Sequence, residues 1–311
     1  MNREAGGQAR GQVHAGSDPG RRWHNAAMAQ IVSIQSAVSY GFVGNSAATF
    51  ALRRMGIDCW PVPTVALSNH NGYPTVHGIQ LSPRQVEDIV AGLDERGVLG
   101  SVDALLTGYL PDEAMGRAVL RIAQLVRRRN PAARICCDPV MGERSGGLYC
   151  QANLPAFFAG HLVPSCWLAT PNLFELETLT GCSTSHLDEV VAAARQLLDR
   201  GPEVVLVTSV EAAEVTSTGV AMIAVTPAGA WYVQTPRQPG SFSGCGDLTA
   251  AVFLARLLER DTVAEALAFT AGAVHAVLSG TAGRGGGELA LVAHQDELVR
   301  PPQTFRATRI A

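Results

Sequence analysis

The 311-residue sequence predicts a layered α/β domain with a central, mostly parallel sheet. Three observations carry that expectation. From Gln30 onward, short apolar runs alternate with stretches of helical periodicity. No Pro/Gly/Ser-rich linker divides the chain, and 47% of residues are hydrophobic against 16% charged, which supplies one sizeable core.

Strands are expected over 31–35, 57–62, 103–107, 134–138, 166–170, 203–208, 220–226 and 230–234. Ser82-Pro83-Arg84-Gln85 joins an N-cap, a proline at the first helical position and a glutamine three residues after the cap, so it opens a helix to about Gly97. Pro111-Asp112 opens another through Arg129, and Ser185-His186-Leu187-Asp188 opens one through Asp199. The last third changes character, reading as successive helices over 245–259, 262–279 and 288–299. Gly142 to Cys150 is polar and glycine-rich directly after a strand, the composition of a short flap. Residues 1–27 contain no apolar run suited to a signal segment and read as a disordered tail, with Met28 as a candidate true start.

Composition removes several function classes. A net charge of −3 gives no basic footprint for nucleic acid, and no stretch reads as a bilayer span. All 24 Lys+Arg residues are arginine. A P-loop lysine, a protein-kinase lysine and a Schiff-base lysine are therefore all excluded. The seven cysteines form no CxxC pair, as suits reduced thiols in a cytoplasmic protein.

The strongest chemical signal is Ser243-Gly244-Cys245-Gly246-Asp247, a glycine-flanked turn running into an apolar helix. Gly244, Cys245 and Gly246 can turn backbone N–H groups into one concavity at a helix N-terminus, where the dipole favours an anion. Asp247 would then stand beside the reacting group as a proton acceptor. The same dipole is expected to lower its pKa. A purely structural reading, a turn followed by a dipole-matched acid, is equally open from these residues alone.

Three further signals lie at expected strand ends. In Thr170-Pro171-Asn172-Leu173-Phe174-Glu175, Asn172 is an N-cap with Glu175 at the third helical position, and capping alone suffices to explain the pair. The ligand-binding alternative is that the pair organises a hydrated Mg²⁺. Asp138-Pro139 follows one strand and Thr208-Ser209 another, each suited to phosphate or metal contacts or to turn chemistry. Gly283 to Gly287 follows no strand and reads as a helix connection. Gly41-Phe42-Val43-Gly44 lacks the third glycine of a dinucleotide fingerprint.

Taken together, Ile34-Gln35-Ser36, Tyr40-Gly41, Val43-Gly44-Asn45, Leu67-Ser68-Asn69-His70-Asn71-Gly72-Tyr73, Thr107-Gly108-Tyr109, Cys137-Asp138-Pro139-Val140-Met141-Gly142, the Thr170–Glu177 block and Gly244-Cys245-Gly246-Asp247 resemble the pyridoxal kinases of the ribokinase-like superfamily. The likeness runs from about Gln30 to the C-terminus. It implies a three-layer α/β/α kinase domain over 28–311, using ATP, Mg²⁺ and a monovalent cation such as K⁺ to phosphorylate pyridoxal, and a homodimer.

By the same resemblance, Asp247 is the base and Gly244, Cys245 and Gly246 form the anion hole. Ser36, Val43, Val65, Asn71, Gly72 and Tyr109 surround the pyridine ring. Asp138, Thr170, Asn172, Glu175, Thr208 and Ser209 face the nucleotide phosphates, with Asp138 and Glu175 reaching the metal mostly through water. Thr235, Pro236, Arg237 and Gln238 lie by adenine and ribose. Ala37 stands where many relatives carry His, and Asn71 where a Thr is usual. The alternatives are a related kinase of another small alcohol, such as hydroxymethylpyrimidine, or a non-catalytic pyridoxal-binding protein.

Overall fold

The computed structural model describes residues 28–284 and 287–311, so the expected tail over 1–27 and part of the Gly283–Gly287 connection lie outside the described residues. The chain begins β1 (Gln30–Val38), α1 (Asn45–Arg54), β2 (Asp58–Leu67), β3 (Gly78–Gln80) and α2 (Pro83–Glu95). It continues through β4 (Ala104–Thr107), α3 (Glu113–Arg129), β5 (Arg134–Cys137) and a hairpin of β6 (Gly142–Glu143) and β7 (Gly147–Leu148). An irregular helical stretch follows, α4 (Leu154–Phe157) and α5 (Val163–Ser165), before β8 (Leu168–Ala169), α6 (Leu173–Thr180) and α7 (Leu187–Leu198). The remainder is β9 (Val204–Val210), β10 (Gly219–Thr226), β11 (Gly229–Pro236), α8 (Cys245–Leu258), α9 (Val263–Ala282) and β12 (Thr308–Arg309).

The strands form one ten-stranded sheet in the order β12-β11-β10-β9-β8-β5-β4-β1-β2-β3. From β9 to β2 every neighbouring pair is parallel. The outer pairs are antiparallel. Side chains alternate between two buried faces, as parallel strands covered on both sides require. Val32, Ile34, Leu105, Ile135, Val205 and Val207 meet the helices α2, α3, α6 and α7. Ile31, Leu106, Cys136, Leu168 and Leu206 meet α1 and α8 with α9. The three-layer α/β/α arrangement is therefore written in the period-two alternation of the central strands.

The helix starts behave as their sequences dictate. Ser82 and Gln85 form a reciprocal capping box at α2, and Thr262 with Glu265 does the same at α9. Asp112 caps α3 by accepting the Met115 N–H at 2.8 Å. Strand β2 contains Pro61 and runs on past its expected end at Val62 through Pro63, because β3 pairs only with Val65, Ala66 and Leu67 and leaves the earlier outer side of β2 without a strand.

One expectation needs correction, and two others take a definite form. The helix expected over 288–299 is a series of turns. Leu289 and Leu291 are both fully buried although two positions apart, a spacing that one helix face cannot satisfy. The flap over Gly142–Cys150 is the β6–β7 hairpin, closed by Tyr149 and Cys150 N–H groups on the Met141 carbonyl at 3.0 and 3.3 Å. Finally, α9 is long and apolar enough to cross a membrane by length and composition. Its Leu267, Ala271, Ala273 and Val277 are nonetheless core residues beneath the sheet and α8. All seven cysteines are free.

Asp112→Ala removes the cap of α3 and is expected to lower unfolding free energy by about 1 kcal/mol. Urea unfolding of the two proteins measures it, and an unchanged midpoint at unchanged slope contradicts it.

Candidate active site

The carboxyl ends of the parallel strands share one edge, and backbone hydrogen bonds continue along it beyond the strands themselves. Gly108 N–H donates to Ile34 (3.3 Å), Asp138 N–H to Thr107 (2.8 Å), Thr170 N–H to Cys137 (3.0 Å) and Thr208 N–H to Pro171 (2.9 Å). Open α/β sheets bind ligands at such an edge where chain connections diverge. Here they diverge at β1, which lies between β2 and β4.

Two strands are bulged as they reach this edge. Gln35 to Ala37 on β1 spans Pro63 to Ala66 on β2, placing an extra residue at Thr64–Val65. Val207 to Val210 on β9 faces only Ile223 to Ala221 on β10, placing another at Thr208–Ser209. Ser209 has φ +53°, in the left-handed region that non-glycine residues seldom adopt. Bulges and such backbone strain re-aim side chains at sheet rims.

At the β1 end, Ser36, Val43 and Val65 are buried, and Tyr109 is half-buried just after β4. Two glycines draw this corner against the start of α8. A Cβ on Gly44 (φ +53°) would lie 2.2 Å from Ser36 Oγ, and one on Gly244 (φ +85°) would lie 1.8 Å from the Phe42 carbonyl oxygen. No side chain fits either place. The contact brings the Gly44 backbone amide to the carboxylate of Asp247, in the first turn of α8.

Burial then raises the pKa of Asp247 to about 6, opposed by the hydrogen bond from Gly44. The expectation from the helix dipole is thus reversed: desolvation outweighs it. Gly246 has open space around its Cα. The Cys245 N–H is engaged by the Phe242 carbonyl at 3.3 Å, a long bond that an incoming anion can displace. Burial pushes the Cys245 thiol up to about 11, so it stays neutral and only its backbone bears on the site.

Beside Asp247 stand two more carboxylates. Asp138, 5% exposed, is raised well above the usual range by desolvation and by the charges of Glu175 and Asp247. The Thr170 hydroxyl donates to it at 3.1 Å. Glu175, 3% exposed, is also raised by desolvation, against donation from the backbone N–H groups of Met141 (2.8 Å), Asn172 (2.9 Å) and Gly142. Glu175 and Asn172 form the expected capping box of α6, and Asn172 Nδ2 donates to the Gly142 carbonyl at 2.8 Å, tying helix to hairpin. Among the described residues no group of three His, Cys, Asp or Glu side chains is arranged to hold a bare metal ion.

The residues singled out in the sequence thus fall into two groups. Asp138, Thr170, Asn172, Glu175, Thr208 and Asp247 are drawn together by hydrogen bonds, an isolated bridge between Asn172 and Thr208, and mutual charge. Asn71 and Gly72 sit apart on an exposed loop after β2, and Thr235 to Gln238 close β11, where Arg237 pairs with Glu211 at 2.7 Å. Sequence reasoning missed Tyr149 on the hairpin. That side chain is exposed, yet near enough to the acids that the charges of Glu175, Asp247 and Asp138 push its phenol upward. It also missed Glu288, which joins Phe42, His70 and Tyr73.

The Phosphomethylpyrimidine kinase family model matches residues 64–289. The pyridoxal kinase PdxY of Rubrobacter xylanophilus is 46% identical over 282 residues, covering 90% of this chain and 97% of that protein. The pyridoxal kinase PdxY of Leifsonia xyli is 41% identical over 281 residues, covering 90% and 99%. Among solved structures, pyridoxal kinase from Leishmania donovani in complex with ADP and pyridoxine matches with a TM-score of 0.85 at 28% identity, over 91% of this chain and 99% of that one. With relatives this similar over nearly their whole length, the chain belongs to the pyridoxal kinase family and has its ribokinase-like α/β fold.

Proposed function

We propose that this protein transfers the γ-phosphoryl group of ATP to the 5′-hydroxymethyl group of pyridoxal, giving pyridoxal 5′-phosphate and ADP in vitamin B6 salvage. The observation that carries the reading is the half-buried carboxylate of Asp247, held by the Gly44 amide at a helix N-terminus and facing two further buried acids. The hydroxyl oxygen attacks the γ-phosphorus, the bond to the β-phosphate oxygen breaks, and Asp247 takes the hydroxyl proton. Backbone amides of Gly244, Cys245 and Gly246 meet the charge on the transferring group.

Ser36, Val43, Val65 and Tyr109 wall the pyridine ring, with Asn71 and Gly72 closing over it. Thr170, Asn172, Thr208 and Ser209 face the phosphates, and Thr235 to Gln238 the nucleoside. The donor set at Asp138 and Glu175 fits a hydrated Mg²⁺: desolvated carboxylates that repel one another are relieved by a cation, and Mg²⁺ keeps most of its waters. When bound, the ion neutralises charge on the β- and γ-phosphates. A monovalent cation such as K⁺, a cytoplasmic location and a homodimer belong to the same reading. The edge strand β3, exposed throughout, leaves an open sheet edge that a second copy can cover.

One second reading has an observation behind it. The matching family model is described for phosphomethylpyrimidine kinases, so hydroxymethylpyrimidine is the competing alcohol. An ATP-coupled assay with pyridoxal, pyridoxine, pyridoxamine and hydroxymethylpyrimidine separates the two. Pyridoxal is expected to give the highest kcat/KM, and a clear preference for the pyrimidine reverses the assignment.

Asp247→Ala is expected to lower kcat by roughly two to four orders of magnitude with nucleotide binding retained. Equal turnover removes Asp247 from the chemistry. The pH profile gives an independent check. A base with a pKa of about 6 acts only when deprotonated, so kcat/KM should rise with pH through about 6, level off above it, and fall about tenfold per unit below it. A flat profile between about pH 5 and 8 contradicts the assignment.

A further inference from the structure

The carboxylate of Glu288 is a junction of three distant stretches of chain. Its Oε2 accepts the Phe42 N–H at 3.0 Å, while Oε1 accepts the Tyr73 hydroxyl at 2.8 Å and lies 3.0 Å from His70 Nε2. His70 Nδ1 accepts the Gly72 N–H at 3.0 Å, which assigns the ring proton to Nε2 and directs it at Glu288. These partners are 246, 215 and 218 residues away in sequence. The Glu288 and His70 side chains are only 15% and 19% exposed, so water competes weakly for these bonds.

The neighbouring residues are shaped around this junction. Gly41 has φ +92°, and a Cβ there would lie 2.0 Å from Glu288 Oε2. Tyr40 meets Tyr73 edge-on at 5.9 Å, and the His70 and Tyr73 rings lie 4.8 Å apart. Two loops are thereby tied to one side chain. The first, over 39–44, runs into Val43 and into Gly44, whose amide bonds Asp247. The second, over 68–77, carries Asn71 and Gly72. Neither loop contains a helix or strand before Asn45 or Gly78 to hold it in place.

We infer that Glu288 is a positioning residue for the alcohol substrate: its carboxylate clasps the two loops that flank the ring, so that the acceptor side of the site is assembled before substrate arrives. Resting on the pyridoxal kinase reading, the inference assigns to this residue a selective effect. Loss of the clasp weakens the alcohol and leaves the nucleotide, whose proposed contacts lie along β5, β8 and β9 and at the end of β11, largely untouched. A carboxylate serves here because all its neighbours donate, and a glutamine in its place would turn an N–H₂ group towards one of them.

The test compares wild type with Glu288→Gln and with Tyr73→Phe, which deletes only one hydroxyl from an exposed ring. Initial rates are measured with pyridoxal and ATP varied separately, alongside hydrogen exchange of the peptides covering 39–44 and 68–77. For Glu288→Gln, the KM for pyridoxal should rise about tenfold, the scale of one hydrogen bond to a charged group, with the KM for ATP within about twofold. Both loop peptides should exchange faster while the sheet does not. Tyr73→Phe should shift the same quantities in the same direction by less, and it decides the matter alone if the glutamine variant does not fold. Equal rises in both KM values, or unchanged loop exchange, overturn the inference. If the wild type prefers a different alcohol, the pyridoxal reading falls; KM for that alcohol and the exchange data then decide the clasp independently.

Discussion

The parallel alignment of the central strands is the constraint on which the site depends. Because β1, β4, β5, β8 and β9 all point the same way, residues as distant as Ser36 and Thr208 end on one edge. The backbone there still forms cross-strand bonds, so positions one or two residues beyond each strand are held almost as firmly as the strands. Antiparallel pairing would have sent alternate strand ends to the opposite side. The antiparallel strands β10 and β11 respect the same logic, since two reversals return the end of β11 to the edge where β9 finishes.

That alignment has an energetic consequence. It brings the half-buried Asp247 close enough to raise both Asp138 and Glu175, which are themselves removed from water. Such crowding destabilises the empty protein, since every buried carboxylate prefers to be protonated or paired. The Glu175 carboxylate is compensated by backbone N–H groups from Met141 and Asn172. Asp138 receives a single hydroxyl from Thr170. So poorly compensated a carboxylate is protonated more readily than one in water. At Asp247 the same burial makes a stronger base than a helix N-terminus alone would allow, and the Gly44 amide keeps that shift moderate.

Legibility of these features in the sequence follows the range of the interactions behind them. Capping boxes are local, and Asn172 with Glu175 and Ser82 with Gln85 were readable as written. The Gly244-to-Asp247 turn is readable as a turn from its two glycines, although its close approach to Phe42 is not. Strand cores were found, while the two-residue β12 and three-residue β3 leave no periodicity to detect. Helix α1 has no legible start, because its N-cap is Gly44 with no side-chain hydrogen bond and its first turn carries no acid. The segment after Gly287 was misread because its leucines are buried one by one by tertiary contacts rather than along one face. Glu288 could not be found at all, since each of its partners is more than two hundred residues away.

The absence of lysine sharpens the electrostatic question that any phosphoryl-transfer site must answer. Two arginines in the site segments are already committed: Arg144 on the hairpin pairs with Glu177 at 2.8 Å, and Arg237 after β11 pairs with Glu211. Each of these pairs is partly exposed and individually weak, so the guanidinium can be released at small cost. A point charge of the P-loop type has no substitute here, because the planar guanidinium is larger and directional. Other sources of positive potential are the backbone amides at the start of α8 and the hydroxyls and amides along β8 and β9. These are fixed by the fold rather than by flexible side chains, and fixed dipoles need no reorganisation as charge moves in the transition state. On this argument the start of α8 offers positive potential from the main chain, with no lysine needed.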